Sequence, residues 1–416
     1  MYKFAPMTEE NMHSMASLLM DAYPSDGPGR SVEQYAESLK EASKRSGVNF
    51  HGVYNRDSMA GCYITWDFDM NTRGFMAKAG GIGMIAVDLC RKREKVCFEM
   101  MRHYLGTLRE TGTNIALLYP FNSAFYHKMG FGFGTLLQQF TLRPADLPSG
   151  GSKAHIVRLT EGDAEMLTAY YNSKVKNTHG LITKQTEEFE RRLKSHAVKM
   201  FAYIDSGIVR GYIACNFKKG SEESFLVNDM LVNEMFFDSP EVFLELMTFL
   251  KSQADQVRYV IINTQDEGFI NTIADPRNHK DRVLFSAYQE CCQTGLGIMY
   301  RICDVEGFFA DMKGCNFGNL NMKLRLNVND TLVPENNKPF LLEFADGLCV
   351  VANYDTQTPD TEISIDIAEL SSMLTGCTNL KLLVKYGKAH ISDAAKLDEI
   401  SRAFSLDEKP VCVTHF

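Results

Sequence analysis

Four basic residues stand together at the predicted start of a helix, in the stretch IAVDLCRKREKVCFEMM. They are Arg91, Lys92, Arg93 and Lys95. The positive end of a helix dipole favours negative charge, so four cations crowded there cost stability unless an anion binds. The pattern therefore favours a polyanionic ligand held by backbone amides and cationic side chains. The structural alternative is a solvated turn in which Glu94 complements the helix dipole.

A tyrosine, Tyr126, lies in the aromatic stretch LYPFNSAFYHKMGFGFG. A phenol with an ordinary pKa near ~10 is still protonated at neutral pH, whereas a thiol has a pKa near ~8.5. A phenol placed beside a departing thiolate can therefore supply its proton. As the alternative, Tyr126 is one more buried aromatic among 17 tyrosines, with its hydroxyl bonded to a carbonyl.

The sequence ends in KPVCVTHF, a strand-like stretch without trailing polar residues. This pattern predicts that Phe416 is tucked into the protein. Its α-carboxylate has a reference pKa of ~3.5 and is a weak base in water, but burial raises its basicity. His415 is a second candidate base, because imidazole titrates near neutrality. The alternative is that Phe416 closes its own domain while the carboxylate faces water.

The elements that must position these residues follow one order over the first 145 or so residues. The pattern predicts a strand, two helices, three strands, a helix, a strand, a short helix and a last strand. The third of the three consecutive strands is long and covers Phe75 to Val87, and the helix after it covers Glu94 to Thr111. The last strand is predicted from Phe133 to Arg143.

The same order begins again after the linker PADLPSGGSK and runs from Ile156 to Asn263. This second cycle has no basic cluster at the corresponding turn, NDMLVNEMFFDSPEVF, so it is a degenerate copy of the first. From about residue 290 the pattern changes to the strands NMKLRLNV, KPFLLEF and GLCVVANY with interspersed helices. Three domains are therefore predicted.

On this order of elements, on Tyr126 before the run KMGFG, and on the terminal Phe416, the chain resembles the Eis family of GNAT-type N-acetyltransferases. The resemblance implies an α+β fold with two tandem GNAT domains followed by a sterol-carrier-protein-like domain. The predicted boundaries are 1–148 for the catalytic GNAT domain, 149–288 for the degenerate GNAT domain and 289–416 for the third domain.

The resemblance also implies roles for the residues singled out above. Tyr126 corresponds to the general acid, and Phe416 supplies the carboxylate that removes the proton of the amine. Acetyl-CoA is expected on the basic turn and on the strand before it. The residues expected to bind it are Ile85, Ala86, Val87, Arg91, Lys92, Arg93, Lys95, Val96, Phe121 and Asn122.

The basic turn departs from the family signature R/Q-x-x-G-x-G/A. Counted from Arg91, Glu94 stands where the first glycine usually stands, and Val96 stands at the second small residue. A side chain at either position narrows the close approach that glycine allows. The carboxylate of Glu94 would in addition repel a phosphate.

Three residues are candidates for contact with the acceptor. Asp26, in the loop YPSDGPGR, can hold a cation but is equally suited to forming a turn. Trp66, the single tryptophan, can line an acceptor site, although core packing is the more common role. His415 is the third candidate, as the alternative base beside the chain end.

Composition and charge exclude several classes. The formal net charge is −8, with acids and bases interspersed, so nucleic acid is not expected as a partner and a cationic amine is compatible. The sequence has neither a run of ~20 apolar residues nor a signal peptide, which predicts a cytoplasmic protein without a membrane partner. The 11 cysteines and 10 histidines lack metal-site spacing, so no metal is expected.

The sequence therefore predicts an acetyl-CoA-dependent N-acetyltransferase acting on an amine of a polyamine-like or lysine-like acceptor, with aminoglycosides implied by the family alone. The family also implies a homo-oligomer, a trimer or hexamer. The alternative is a catalytically weakened GNAT-fold binding protein, which Glu94 and Val96 favour and which Tyr126 and Phe416 oppose. A peptidoglycan-type aminoacyltransferase using tRNA is disfavoured by the acidic balance.

Overall fold

The structure, a computed structural model, describes residues 2–25, 29–56, 58–278, 283–352 and 358–416. The chain forms two compact units. The first unit contains Met1–Gly134, Ile298–Pro410 and Thr414–Phe416, and the central unit contains Thr135–Gly297 with Val411–Val413. The two divisions expected from the sequence, after residues 148 and 288, both fall within the central unit.

Local sequence signals, such as helix caps, mark where elements before Gly134 begin. Ser31 caps the second helix, because its hydroxyl accepts the Gln34 amide at 3.2 Å while the Gln34 side chain accepts the Ser31 amide at 3.1 Å. The α-helices and strands are β1 (Lys3–Pro6), α1 (Met12–Ala22), α2 (Val32–Ser43), β2 (Val48–Asn55), β3 (Ser58–Thr72), β4 (Phe75–Val87), α3 (Val96–Glu110), β5 (Ile115–Leu118), α4 (Ser123–His127) and β6 (Gly132–Phe133).

The central unit repeats much of this order. Its long helix begins where Ser239 accepts a backbone hydrogen bond and Pro240 occupies the first turn. The elements are β7 (Leu137–Leu142), β8 (Ile156–Arg158), α5 (Ala164–Val175), α6 (Thr186–Lys194), β9 (Lys199–Asp205), β10 (Ile208–Lys219), β11 (Asn228–Phe237), α7 (Pro240–Lys251), β12 (Val257–Thr264), β13 (Val283–Phe285), β14 (Tyr288–Gln289) and β15 (Cys292–Gly295).

The rest of the first unit adds one strand to the sheet formed before Gly134 and builds a separate five-stranded sheet in the order β19-β18-β17-β20-β21. Its elements are β16 (Met299–Ile302), α8 (Val305–Asp311), β17 (Met322–Asn329), β18 (Pro339–Ala345), β19 (Leu348–Ala352), β20 (Thr361–Asp366), α9 (Ile367–Leu374), α10 (Leu380–Lys385), β21 (Ala389–Ile391) and α11 (Leu397–Phe404).

Seven strands form the main sheet of the first unit, in the order β1-β2-β3-β4-β5-β16-β6. Strand β16 lies between β5 and β6 and is antiparallel to both. Phe133 of β6 is opposite Met299 of β16, and the Gly134 amide donates to the Ile298 carbonyl at 3.1 Å. In the sequence, the central unit is thus inserted between β6 and β16, two strands that pair with each other.

The central unit has its own seven-stranded sheet, in the order β15-β7-β12-β11-β10-β9-β8. The single strand predicted from Phe133 to Arg143 is therefore wrong, since β6 ends at Phe133 in one sheet and β7 begins at Leu137 in the other. The partners that separate the two strands, β16 and β12, lie far away in sequence.

Apolar side chains cover both faces of the main sheet of the first unit. On one face, α1 buries its Met12, Met15 and Leu19 completely, and the buried residues of α2 belong to the same core. On the other face, α3 buries Met101 and Leu105 completely. Each such side chain contributes about 1.5–3 kcal/mol when removed from water, so the strands between the helices are firmly held.

Candidate active site

Strands β4 and β5 are parallel but separate along their length. They pair only where Ala79–Gly81 faces Ile115–Leu117. Strand β4 then continues to Val87, while β5 ends at Leu118. In the part of the chain that the structure describes, the β4 backbone beyond Gly81 has no strand partner on this side. Backbone groups on this edge, apart from the Ile85 carbonyl, can hydrogen-bond a ligand that enters between the two strands.

A β-bulge shapes this open edge. Met84 has a φ of 48°, and the register between β3 and β4 shifts at this point. Bulges bend a strand and re-aim its side chains, often next to active sites. The Tyr23 hydroxyl donates to the Ile85 carbonyl at 2.9 Å. Three of the residues expected to bind the cofactor, Ile85, Ala86 and Val87, follow directly after the bulge.

The basic turn leads into the N-terminus of α3. This helix begins at Val96, and its N-cap residue Lys95 makes no side-chain capping bond. The backbone amides of the first turn of α3 therefore make no hydrogen bond to the side chain of Lys95. They point toward the basic turn. Arg93 and Lys95 have φ values of 69° and 60°. Arg93 directly precedes Glu94, and Lys95 directly precedes Val96. Glu94 and Val96 occupy the two positions where the family signature has small residues.

Glu94 does not remain an isolated negative charge in this turn. Its carboxylate accepts a hydrogen bond from the Tyr2 hydroxyl at 3.1 Å and lies 3.6 Å from the Arg91 guanidinium. Arg91 also donates to the Ser58 hydroxyl at 3.0 Å. Arg91 thus offsets Glu94, and three exposed cations remain without an ion pair among the described residues. These are Lys92, Arg93 and Lys95.

Tyr126 lies on α4 with only 2% of its surface exposed. Burial raises the pKa of its hydroxyl well above the ordinary value, and the nearby Cys97 and Tyr23 raise it further. The phenol is therefore a protonated donor throughout the physiological pH range. Three aromatic rings surround it at centroid distances of 5.3–6.2 Å: Phe121, Phe125 and Phe131.

The two residues before α4 that were expected to bind the cofactor differ in their surroundings. The Asn122 side chain caps α4 by accepting the Phe125 amide at 3.1 Å, so its oxygen already has a structural partner. Phe121 is 70% exposed and meets Tyr126 edge to face at 5.5 Å. Its ring is open to a ligand beside Tyr126.

Phe416 packs against the main sheet of the first unit, within the same unit as Tyr126. Its ring centroid lies 5.5 Å from Trp66, 5.2 Å from Phe68 and 5.4 Å from Tyr119. The Tyr119 hydroxyl donates to the Thr414 carbonyl at 3.0 Å. The half-buried Phe416 ring therefore packs among aromatic side chains, and Trp66, expected at the acceptor site, is one of them.

Two glycines of β4 provide the space in which Phe416 lies. A Cβ atom at Gly81 would come within 2.9 Å of the Phe416 ring and 2.7 Å of the Phe68 ring. A Cβ atom at Gly83 would lie 3.4 Å from the Phe416 backbone oxygen. Sequence reasoning missed Gly81, Gly83 and Tyr119. The signal for the glycines was present, because the run AGGIG inside a strand indicates close approach of another chain segment.

The remaining predicted site residues are less informative. His415 is exposed, with its ring 5.6 Å from that of Tyr119, and so lies directly beside the Phe416 site. Asp26 falls outside the described residues. Among the described residues, no group of three or more His, Cys, Asp or Glu side chains is arranged to hold a metal ion. In the same part of the chain, no helix is long and apolar enough to cross a membrane.

Comparison with known proteins agrees with this architecture. Residues 3–134 match the family described as an acetyltransferase (GNAT) domain, and residues 305–413 match a sterol carrier protein domain. No curated protein matches the sequence.

Three solved structures share the fold over the whole chain. A GCN5-related N-acetyltransferase from Anabaena variabilis has a TM-score of 0.80 at 15% identity, with 100% of both chains covered. A GCN5-related N-acetyltransferase from Kribbella flavida has a TM-score of 0.77 at 19% identity, with 100% of this chain and 98% of the other covered. Eis1 from Mycobacterium abscessus has a TM-score of 0.77 at 16% identity, with 100% of both chains covered.

The N-terminal domain, with its separating strands and basic helix start, is a GNAT domain, and the protein is an acyltransferase. Two GNAT-type domains and a C-terminal sterol carrier protein domain give the whole chain the Eis-like fold that its sequence predicts.

Proposed function

We propose that this acyltransferase moves an acetyl group from acetyl-CoA to an amine of a cationic acceptor of the polyamine, aminoglycoside or lysine-like type. The observation that carries the proposal is the position of Phe416. It lies on β4 among Trp66, Phe68 and Tyr119, in the unit that also holds Tyr126. A candidate base and a candidate acid thus belong to one folded unit.

The residues of the first unit fit acetyl-CoA, which when bound supplies an acetyl thioester. The start of α3, which lacks a side-chain cap, presents backbone amides to an anion, and the exposed Lys92, Arg93 and Lys95 of the basic turn lie beside it. The free edge of β4 beyond Gly81 offers backbone groups to an extended ligand. Glu94 weakens this fit, but Arg91 lies close enough to offset its charge.

In this mechanism Tyr126 donates the proton that the leaving thiolate requires. Its raised pKa keeps the hydroxyl protonated but also makes it a weaker acid, so the proton moves as negative charge develops on the sulfur when the thioester bond breaks. Burial of the Tyr126 side chain against the rings of Phe125 and Phe131 limits competition from water at this position.

The α-carboxylate of Phe416 takes the proton from the attacking amine. The rings of Trp66, Phe68 and Tyr119 pack around the Phe416 ring and so hold the chain end beside β4. The same aromatic faces attract an ammonium group, since cations bind to the negative face of a ring. The exposed imidazole of His415 is the alternative base.

The test measures thiol release from acetyl-CoA with a panel of polyamines and aminoglycosides. Tyr126→Phe is expected to lower kcat by about 10²-fold or more, the usual contribution of a general acid, with KM for acetyl-CoA nearly unchanged. One glycine added after Phe416 keeps the aromatic ring but moves the carboxylate, and is expected to lower kcat as well.

Retention of full activity by both altered proteins would contradict the assigned acid and base. If the unaltered protein neither binds acetyl-CoA nor releases thiol, the GNAT-fold binding protein becomes the better interpretation. The turn in which Arg91 and Glu94 contact each other, in place of a glycine-lined anion site, would then explain the lost cofactor binding.

A further inference from the structure

Arg301 of β16 is a completely buried arginine with partners in two distant segments. One guanidinium nitrogen donates to both carboxylate oxygens of Asp330, at 2.8 and 2.7 Å, and both side chains are 0% exposed. Another nitrogen donates to the Met129 carbonyl. A buried pair of this kind keeps its geometry, because separating the charges leaves each one uncompensated in the interior.

Asp330 is itself fixed by the sterol carrier protein domain. Its carboxylate accepts the amides of Leu332 and Val333 at 3.0 and 2.9 Å. It also accepts the Asn336 side-chain amide at 3.1 Å. These three donors and Asp330 itself lie in the loop between β17 and β18. Together with Arg301 they satisfy the carboxylate, so the position of Asp330 is fixed.

The Met129 carbonyl belongs to the turn that ends the helix of Tyr126. The Met129 amide donates to the Tyr126 carbonyl at 2.9 Å, and the Phe131 amide donates to the same carbonyl at 3.2 Å. Gly130 between them has a φ of 85°, and a Cβ atom there would collide with the Arg301 guanidinium. Arg301 therefore lies directly against the backbone that carries Tyr126.

A second contact from the third domain reaches the same turn. Glu369 of α9 is only 8% exposed and lies 3.3 Å from the imidazole of His127, the residue after Tyr126. The Ser372 hydroxyl of the same helix donates to the Phe133 carbonyl at 2.9 Å. The turn is thus supported from β16 and from α9.

We propose that Arg301 is a positioning residue for Tyr126, acting through the Met129 carbonyl, with Asp330 holding Arg301 in place. This inference rests on the proposed function, in which Tyr126 donates the proton. The third domain then contributes to the first domain's site by a route separate from Phe416, since it fixes the acid while the chain end supplies the base.

The first test uses the full chain with Arg301→Lys and Asp330→Asn. Lysine keeps the charge but loses the fork that engages Asp330 and Met129 together. Asparagine keeps the shape and leaves Arg301 without its counter-charge. Both changes are expected to lower kcat about 10- to 100-fold, the effect of a small misplacement of a reacting group, while KM for acetyl-CoA changes less than about twofold.

A double-mutant cycle identifies Tyr126 as the group through which Arg301 acts. In a Tyr126→Phe background, Arg301→Lys is expected to cause no further loss of kcat. An equal loss in both backgrounds would overturn the positioning role while leaving the acid role intact. Full activity of Tyr126→Phe alone would instead overturn the acid role, and the proposal with it.

Arg73 provides the matched control. It is also a buried arginine bound to the third domain, but its hydrogen bonds go to the carbonyls of Leu374, Ala403 and Phe404. Arg73→Lys is expected to lower the melting temperature while kcat per folded molecule stays within about twofold. An equal loss of kcat in Arg73→Lys would show that Arg301 acts only on stability. If Arg301→Lys fails to fold, Asp330→Asn decides the question by the same cycle.

Discussion

Gly81 determines whether Phe416 can lie on β4. Its missing side chain leaves the space that the rings of Phe416 and Phe68 fill, and Gly83 leaves room for the Phe416 backbone. The predicted acid, Tyr126, needs no such space, because its ring is part of an apolar core. At the residue scale, the absence of a side chain is therefore as important to the site as the candidate groups themselves.

We expect Gly81→Ala to lower kcat at least tenfold, because the added methyl group displaces Phe416 by overlap with its ring. The measurement is kcat together with the melting temperature of the variant. Gly80→Ala is the matched control, since its Cβ atom would meet Leu108 at 2.6 Å and the Tyr104 hydroxyl at 3.0 Å under α3. That control should lose stability but keep its kcat. Undiminished kcat in Gly81→Ala would show that Phe416 is not needed where it lies.

Helix α3 begins with a turn that is strained in two places. Arg93 and Lys95 hold left-handed backbone conformations, which cost a residue with a side chain roughly 1–2 kcal/mol. Strain of this kind persists where the surrounding structure maintains it, and it is frequent at ligand sites. At the scale of the element, the turn before α3 is less stable than an unstrained one, and it leaves the helix N-terminus open with cations beside it.

Lys95→Gly is expected to raise the stability of the protein and to weaken its binding of acetyl-CoA. Glycine adopts this conformation without strain, so the free energy of unfolding should rise by up to about 1 kcal/mol. Loss of the cation should weaken acetyl-CoA binding several-fold. Lys95→Ala removes the same charge and keeps the strain, so it should weaken binding without stabilising. Urea denaturation and titration calorimetry measure the two effects, and equal stability of both variants would contradict the strain.

Most elements could be predicted from the sequence because their signals are local. The helix predicted from Glu94 to Thr111 spans Val96–Glu110, and the strand predicted from Phe75 to Val87 has those bounds. Apolar periodicity and caps are properties of neighbouring residues. The strand predicted from Phe133 to Arg143 failed because its division depends on partners far away in the chain, which no local pattern contains.

The same distinction holds for the candidate site. The basic turn and Tyr126 could be singled out because a motif surrounds each of them, and the structure places both in the first unit. Arg301 and Tyr119 could not, because their roles arise from contacts between segments, whereas the glycine run AGGIG in β4 indicated a close approach without showing that Phe416 makes it. Arg301 contacts Met129, which lies in a separate part of the sequence. Such contacts depend on the fold rather than on any local pattern.

At the scale of the whole molecule, the first unit is discontinuous in sequence. Residues 1–134 and 298–410 share one sheet, since β16 fills the place between β5 and β6. A fragment that ends at the predicted boundary, residue 148, would leave both neighbouring strands without their partner. Exposed strand edges of this kind promote aggregation.

We therefore expect residues 1–148 to be insoluble or unfolded when produced alone. A chain in which residues 135–297 are replaced by a short glycine-containing turn should instead fold, because Gly134 and Ile298 are already hydrogen-bonded neighbours. Circular dichroism during thermal unfolding is the measurement, with a single cooperative transition expected for the second chain. A stable, cooperatively folding 1–148 fragment would show that β16 is dispensable.

The insertion also sets the order in which the protein can assemble during synthesis. Strands β5 and β6 leave the ribosome early, but their shared partner β16 follows only after residues 135–297 have been made. Domains generally fold as units while the chain grows, so the central unit has the opportunity to fold first. Its pairing of Leu137 with Gly295 then brings the two ends of the insertion together, which reduces the entropy lost when β16 joins the first sheet. The turn carrying Tyr126 acquires Arg301 in that same late step, so catalytic competence waits for the central unit to be built.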